Sequence, residues 1–234
     1  MSRPENTPTI IFVHAAWADG SSWNKVTATL QAKGLRCLAA PIPMTTLADD
    51  IAALERAIAR AGETVILVGH AYSGGVVSAC TNEKVKGLVF IAGLTPDVGE
   101  SVGDVFFSEP PHEKAPALAP DAEGFFWLPD DAFPNAFAQN ASRTETSLLA
   151  AVQRPINGAC IQAPLPAASW KTLPSWYLVA EQDRMISPKI QHRVAERMNA
   201  HIMIADVDHC PMLTAPQKVE HLIELAIEQV TKQA

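Results

Sequence analysis

The sequence predicts an α/β protein in which a doubly wound, mainly parallel sheet of about six strands carries a helical cap insertion. Short apolar runs alternate with stretches of helical periodicity, which is typical of strand-helix-strand crossovers, and one proline-rich segment interrupts the alternation. In addition, Val65–Gly69 runs from buried apolar residues into small ones, as a parallel strand entering a tight turn does. We therefore expect a core formed by 1–96 and 173–234 and a cap at 97–172.

Six apolar segments are predicted to be strands of this sheet. They are Thr9–Val13, Leu35–Ala40, Val65–Gly69, Gly87–Ile91, Trp176–Ala180 and His201–Ala205. Apolar residues recur at helical spacing from Leu47 to Ile58, after Thr46, whose hydroxyl can cap the first turn. Further helices are expected at Trp23–Lys33, Tyr72–Cys80, Pro188–Met198 and from Pro216 to the C-terminus.

The segment 97–172 holds many of the prolines and a group of aromatic residues. These are Phe106, Phe107, Phe125, Phe126 and Trp127. Ser142–Glu145 predicts a capping box for a helix that stops before Pro155, and Asp130–Asn140 a second short helix. The alternative is a proline-rich surface excursion with its own apolar cluster. Because ligands bind at the carboxyl ends of parallel strands, we expect Phe106, Phe125 and Trp127 to contact substrate.

Composition excludes several classes of function. The chain has 234 residues, 48% of them hydrophobic, and a net charge of −7, which indicates one soluble globular domain and disfavours nucleic-acid binding. No apolar run approaches the roughly 18 residues that span a bilayer. The polar start Met1–Pro8 does not resemble a signal peptide, so we expect a cytoplasmic protein with no membrane partner.

The sequence indicates no cofactor and no metal. The four cysteines lie far apart, which argues against a zinc ribbon or a disulfide framework. No glycine-rich phosphate motif follows the first strand, and no cluster of histidine, cysteine or carboxylate has metal-ligand spacing. We therefore expect a small molecule as the only partner, bound by a monomer or a homodimer.

The segment Val65–Gly75 has the strand-turn-helix context of a nucleophile elbow, in which a strained turn residue presents its side chain above the sheet. Ala71 occupies that turn, so a methyl group stands at the nucleophile position. A register shifted by two residues makes Ser73 the alternative nucleophile. That register requires the strand to extend through His70. The simpler interpretation is that the Ser73 hydroxyl belongs to the first turn of the next helix.

Two polar loops follow the last two predicted strands. Asp183 follows the fifth and His209 the sixth, which puts both at the carboxyl edge of the sheet. The chain order of elbow, acid and histidine is that of serine hydrolases built on such a sheet. Asp183 is then expected to fix the tautomer of His209 and to stabilise its protonated form. Asp206 and Asp208 compete for this role, although their closeness in sequence to His209 makes them poorer candidates.

Backbone amides beside the elbow predict an oxyanion hole. The amides of Ala16 and Tyr72 are the candidate donors, since acyl transfer needs two donors aimed at the developing negative oxygen. His14 and Trp17 adjoin the same turn and are predicted to contact substrate, although a lone histidine such as His14 is more often structural. His70 is predicted to point away from the pocket, because side chains alternate along a strand.

Four motifs occur in a fixed order along the chain. They are Pro8–Trp17, Gly69–Gly74, Asp183–Pro188 and Asp208–Met212. Together they resemble the α/β-hydrolase fold superfamily over nearly the whole chain, and most closely small bacterial hydrolases and the plant methylesterase and hydroxynitrile lyase group. The resemblance implies a first strand with a His-Gly turn, a Gly-His-Ser-Tyr-Gly-Gly elbow, and acid and histidine loops.

Three residues depart from that pattern. Ala71 replaces the nucleophile, Ala15 replaces the glycine of the His-Gly turn, and Ser73 replaces a glycine of the elbow. Because three positions around one site differ together, natural divergence is favoured over an introduced mutation.

Three functions are consistent with these residues. The first is an enzyme for a small carbonyl or ester compound that uses a His209–Asp183 dyad and an oxyanion hole without a serine nucleophile, as the lyases and cofactor-free oxygenases of this fold make plausible. The second is a non-catalytic binder that retains the pocket. The third is a serine esterase whose nucleophile was mutated to Ala71.

Overall fold

The computed structural model describes residues 7–233, so Met1–Asn6 of the predicted polar start and the final Ala234 lie outside the described residues. The strands are β1 Thr9–Val13, β2 Arg36–Ala40, β3 Val65–His70, β4 Val85–Ile91, β5 Phe125–Phe126, β6 Ile156–Asn157, β7 Ser175–Ala180 and β8 His201–Ala205. Six of them form one parallel sheet in the order β2-β1-β3-β4-β7-β8, and β5 and β6 form a separate antiparallel ribbon. The predicted fold class is confirmed.

Nine α-helices accompany the strands within the described part of the chain. They are α1 Asn24–Ala32, α2 Leu47–Ala59, α3 Ser73–Ser78, α4 Val102–Phe106, α5 Arg143–Val152, α6 Gly158–Gln162, α7 Pro188–Arg197, α8 Pro211–Thr214 and α9 Pro216–Gln233. Two 3-10 turns, Gly20–Trp23 and Ser169–Lys171, and one π-helical turn, Phe133–Phe137, complete the set.

The predicted sheet strands agree with the observed ones to within two residues. β1 and β3 are buried along their whole length, as the continuous apolar runs of a sheet covered on both faces require. Helix α2 begins where expected, because the Thr46 hydroxyl accepts a hydrogen bond from the Asp49 amide at 3.1 Å. Helix α9 packs against β4 and β7 and covers one face of the sheet.

Strand order brings four connecting segments to one edge of the sheet. β1 lies beside β3 with Val13 opposite Gly69, and β3 lies beside β4 with His70 opposite Ile91. β7 and β8 pair in parallel, with Ala180 opposite Ala205. The turns that follow β1 and β3, and the loops that follow β7 and β8, therefore all leave the carboxyl edge.

The segment between β4 and β7 contributes no strand to the main sheet. Its division from the core at 97–172 stays a prediction. The predicted capping box is present, because the Ser142 hydroxyl accepts from the Glu145 amide and the Glu145 carboxylate accepts from the Ser142 amide. The expected helix within Asp130–Asn140 is the π-helical turn, and the short β5–β6 ribbon was not predicted.

In the part of the chain that the structure describes, every helix is too short or too polar to span a lipid bilayer.

At Gly74, the backbone of helix α3 lies close to the backbone of the loop after β4. A Cβ atom at this position would lie 2.5 Å from the Leu94 carbonyl oxygen. We predict that Gly74→Ala lowers the free energy of unfolding by about 1–3 kcal/mol, because backbone has to move to make room. Urea titration measures the change, with Gly62→Ala as control, since a Cβ there meets only Thr9 Oγ1 at 3.8 Å. Equal stability of the two variants would contradict the prediction.

Candidate active site

Ala71 forms the apex of the turn between β3 and α3. Its φ angle is 50°, in the left-handed region that costs a residue with a Cβ atom energy. The turn is fixed by the end of β4 and by the loop after it, since the Ala71 amide donates to Ile91 O at 3.2 Å and the Leu94 amide donates to Ala71 O at 2.9 Å. Ala71 therefore adopts the strained backbone that the elbow pattern predicts for the turn residue.

Ser73 is part of the framework of this turn. Its side chain is fully buried, and its Oγ accepts from the His70 amide at 2.8 Å. The same oxygen lies 2.8 Å from Val13 O and 2.9 Å from His70 O, to which it donates. A hydroxyl committed to three backbone groups is not placed to attack a substrate. These hydrogen bonds favour Ala71 over Ser73 as the elbow residue although β3 extends through His70, and the alternative assignment of Ser73 as nucleophile stays a prediction.

Asp183 and His209 form a buried pair. His209 Nδ1 donates to Asp183 Oδ2 at 2.7 Å, and both side chains are almost wholly enclosed. Asp183 Oδ1 also accepts from the amides of Met185 and Ile186, at 2.7 and 2.9 Å, and Oδ2 accepts from Gln191 Nε2 at 2.8 Å. Four donors thus stabilise the negative charge of the carboxylate and hold the imidazole in one tautomer.

The other ring nitrogen of His209 remains available. Since Nδ1–H is the donor to Asp183, Nε2 carries the lone pair in the neutral ring. No hydrogen bond from the described part of the chain engages this nitrogen. The ring is therefore oriented as a base.

Asp208 and Asp206, the two other candidate partners of His209, have different surroundings. Asp208 accepts from the Asn140 amide at 2.9 Å through Oδ2, and from Thr214 Oγ1 at 2.6 Å through Oδ1. It therefore joins the cap to the histidine loop. Asp206 is exposed. The structure thus selects Asp183 as the partner of His209.

The amides of Ala16 and Tyr72 are both available as donors. Among residues 7–233, neither amide donates a hydrogen bond to another group. Each lies in a turn that leaves the carboxyl edge, after β1 and β3 respectively, and these strands are neighbours. Their role as an oxyanion hole stays a prediction.

Tyr72 is fixed by a buried acid that the sequence analysis did not single out. Its hydroxyl donates to Asp50 Oδ2 at 2.6 Å, and the Met44 amide donates to Asp50 Oδ1 at 2.7 Å. Burial raises the pKa of Asp50, although both hydrogen bonds act in the opposite direction. The available signal was an aspartate on the buried face of α2. Asp50 thereby anchors the residue that follows the elbow apex.

His14 is buried at the end of β1. Its Nδ1 donates to Ala15 O at 3.0 Å, and desolvation by burial lowers its pKa to about 4. It is therefore neutral at pH 7. His14 lies next to the oxyanion turn, but its contact with substrate stays a prediction.

We predict that His14 contributes to acid destabilisation. Because its folded pKa lies below the unfolded value of 6.5, its contribution is present above pH 6.5 and is lost as the pH falls towards about 4. Between pH 7 and 5 that loss amounts to about 2 kcal/mol. Urea titrations at both pH values should show His14→Gln losing about 2 kcal/mol less than the parent. The exposed-residue control His221→Gln should retain the parent's full loss, and an unchanged pH dependence in His14→Gln would refute the assignment.

His70 does not turn away from the site as predicted. Its Nε2 donates to His209 O at 2.7 Å, and the two imidazole rings lie 4.6 Å apart between centroids. Burial, and then the neighbouring His209, keep its pKa well below the usual value, so the ring is neutral. Strand alternation does not relate His70 to Ala71, because β3 ends at His70 and Ala71 adopts a left-handed φ of 50°.

The aromatic residues of the cap differ from the prediction in which of them lie near His209. Phe137, in the π-helical turn, packs edge-on to the His209 ring at 5.2 Å between centroids, and Trp17 lies edge-on to Phe137 at 6.5 Å. Trp127 is 51% exposed and its indole donates to Asp121 at 3.1 Å. The contact of Trp127 with substrate stays a prediction, and Phe137 is a cap aromatic residue that packs on the His209 ring.

Phe106 and Phe125, both half-buried, lie elsewhere in the cap. Phe106 packs on the exposed Phe107, and Phe125 belongs to the β5–β6 ribbon. Trp17 touches that ribbon, because its indole donates to Phe126 O at 2.9 Å. The contact of Phe106 and Phe125 with substrate stays a prediction.

Two open recesses of the surface lie away from His209. A recess of about 320 Å³ is lined by Asp130, Pro134 and Arg143 on the cap, and one of about 520 Å³ by Trp170, Arg197 and neighbours at the opposite edge of the sheet. Neither includes a candidate site residue. Within residues 7–233 there is no cluster of three histidine, cysteine or carboxylate side chains that suits a metal ion.

Comparison with known proteins gives consistent matches. Residues 10–222 match the sequence model of the Alpha/beta hydrolase family. The chain is 24% identical to "Probable hydrolase R7" of Phoma sp., over 92% of this chain and 96% of that protein. It is 27% identical to "Alpha/beta hydrolase nvfD" of Aspergillus novofumigatus, over 79% of each.

Solved structures share the fold at low sequence identity. The pyrethroid hydrolase PytH has a TM-score of 0.79 at 17% identity, covering 96% of this chain and 98% of that one. Polyneuridine aldehyde esterase has a TM-score of 0.76 at 18% identity, covering 94% and 99%. Tomato Methylketone Synthase I, complexed with 2-tridecanone, has a TM-score of 0.79 at 17% identity, covering 96% and 99%. A variant of that synthase was solved with beta-ketoheptanoate.

Proposed function

Because the chain belongs to the alpha/beta hydrolase family, we propose that it is an enzyme in which His209, oriented by Asp183, acts as a general base on a small, partly apolar carbonyl or ester compound. The observation that carries the proposal is the buried His209–Asp183 hydrogen bond of 2.7 Å together with a methyl group at the elbow apex. A base is present, and the covalent nucleophile is absent at that apex.

Hydrolysis of an ester can proceed by direct attack of water. His209 Nε2 removes a proton from the water as the resulting hydroxide attacks the carbonyl carbon. The carbonyl electron pair moves onto oxygen, where the amides of Ala16 and Tyr72 stabilise the oxyanion. When the carbonyl re-forms, the alkoxide leaves and takes the proton from His209. Asp183 stabilises the imidazolium between these two steps.

A second candidate reaction is decarboxylation of a β-keto acid. It is favoured by Ala71 at the apex and by the likeness to the methylketone synthase, a variant of which was solved with beta-ketoheptanoate. The carbon–carbon bond breaks, carbon dioxide leaves, and the electron pair moves onto the ketone oxygen beside the two amides. His209 Nε2, which has taken the proton of the substrate's carboxylic acid group, then gives this proton to the carbon and yields a methyl ketone.

Two alternatives remain open. A non-catalytic binder would retain the pocket and turn over nothing. A serine esterase whose nucleophile was mutated to Ala71 would have lost its activity with the hydroxyl.

The proposal is tested with a panel of short aryl esters and aliphatic β-keto acids. We expect the parent to release alcohol from esters, or carbon dioxide from keto acids, at rates that prior incubation with a fluorophosphonate does not change, because the reagent requires a nucleophilic hydroxyl. Binding of the compounds with no turnover of any of them would overturn the proposal and favour the binder.

A further inference from the structure

Arg154 lies beside the oxyanion turn. Its carbonyl oxygen accepts a hydrogen bond from the Trp17 amide at 2.9 Å, one residue beyond Ala16. The next residues of the same cap segment are tied to the loop after β2, because the Asn157 amide donates to Met44 O at 3.0 Å. Two backbone contacts thus hold this cap segment, which includes Arg154, against the loops that follow β1 and β2.

Among residues 7–233, the guanidinium of Arg154 forms no ion pair with a carboxylate. Within residues 7–233 its Nε is buried without a hydrogen-bond partner, and no carboxylate forms a salt bridge with it. A buried guanidinium donor left unpaired costs free energy, and arginine cannot lose its charge. Buried polar groups without a partner are rare in native structures, so each one calls for an explanation, and a bound anion is one that suits a guanidinium.

The charge of Arg154 acts on the site itself. It adds to the lowering of the pKa of His14, after the larger effect of burial, so the guanidinium lies within electrostatic reach of the residue that opens the oxyanion turn. Asp19 is the acid that acts on His14 in the opposite direction, and its Oδ1 is occupied by the Ser21 amide at 2.8 Å. Neither Asp19 nor another carboxylate among residues 7–233 forms a salt bridge with Arg154, so this positive charge is available to a ligand.

We propose that Arg154 binds a carboxylate of the substrate, so that the enzyme acts on carbonyl compounds that also carry a carboxylate group. The inference rests on the proposed function, since it places the reacting carbonyl at His209 and the oxyanion amides. A guanidinium holds a carboxylate through two parallel N–H···O bonds, which fixes the orientation of the substrate as well as its charge. The cap segment that carries Arg154 thereby sets substrate class.

The test measures binding of matched ligand pairs. One member is a keto carboxylate from the series 4-oxopentanoate to 6-oxoheptanoate, and the other is the hydroxy ketone in which a hydroxymethyl group replaces the carboxylate. Isothermal titration calorimetry on the parent should show at least one keto carboxylate binding about 10- to 100-fold more tightly than its neutral partner. The preference should weaken as the salt concentration rises.

Substitutions assign the preference to one residue. Arg154→Gln should abolish it, and Arg154→Lys should retain part of it, because a lysine keeps the charge but loses the paired donors. Arg143→Gln, at an exposed arginine of the same cap, should leave it unchanged. Circular dichroism confirms that each variant is folded, and if Arg154→Gln does not fold, Arg154→Lys and the salt dependence of the parent decide.

Failure of this inference differs from failure of the proposed function. Equal binding of both members of every pair by the parent, or a preference that survives in Arg154→Gln, overturns the carboxylate site. In His209→Ala the preference should persist although turnover is lost. A parent that prefers keto carboxylates but turns over no compound would overturn the proposed function alone.

Discussion

His209→Ala is expected to lower kcat by about 10²- to 10⁴-fold on every substrate that the parent accepts, which is the usual contribution of a positioned general base. The buried ring is oriented by Asp183, with Nε2 free of hydrogen bonds from the described residues. Steady-state kinetics measures the effect, with the exposed His221→Ala as control. Turnover that is equal in His209→Ala and the parent would show that the pair is not catalytic.

Asp183→Asn tests the role of the carboxylate while His209, the proposed base, stays in place. Asparagine can still accept from the amides of Met185 and Ile186, but it removes the negative charge that stabilises protonated His209. We expect kcat to fall by about 10²-fold or more, with a smaller change in KM. An unchanged kcat would contradict the role assigned to Asp183.

Ala71→Ser is expected to create a covalent esterase. The strained φ of 50° at residue 71 is already that of an elbow apex, and the buried His209–Asp183 pair can activate a hydroxyl there. Hydrolysis of activated esters should rise by about 10²-fold or more, and the variant should react with a fluorophosphonate that leaves the parent unmodified. Peptide mapping should place the label on residue 71.

Ser73 provides the matched control for this gain. In the combined variant Ala71→Ser, Ser73→Ala, labelling at residue 71 should persist, since Ser73 serves the backbone of His70 and Val13. Labelling that disappears in the combined variant, or that occurs on Ser73 in the parent, would contradict the assigned register.

The sequence was sufficient for the features that depend on local pattern. Continuous apolar runs located the buried strands, and the small residues after Gly69 located the elbow. Small residues are needed there because the backbone approaches closely at Gly74, where a Cβ atom would lie 2.5 Å from the Leu94 carbonyl oxygen. Chain order brought Asp183 and His209 to one sheet edge. Asp183 was preferred over Asp208 because Asp208 is adjacent to His209 in the sequence, and the hydrogen bonds agree with this choice.

The parts that the sequence did not predict depend on how the cap is folded. Phe137 sits on the His209 ring because the π-helical turn packs there, and no periodic pattern marks a turn of this kind. Trp127 was placed over the site by composition alone, yet its indole pairs with Asp121 at the surface. Arg154 belongs to no sequence motif, and it is distinguished by its buried Nε, which has no hydrogen-bond partner among residues 7–233.

Mass spectrometry of the intact parent during turnover tests the central claim most directly. The enzyme is mixed with an excess of an activated ester, the reaction is quenched in acid within the first turnovers, and the mass of the intact protein is measured. If His209 activates water directly, the protein keeps its unmodified mass while product accumulates. A protein population heavier by one acyl group, formed and lost at the rate of turnover, would show that this chain uses a covalent nucleophile after all.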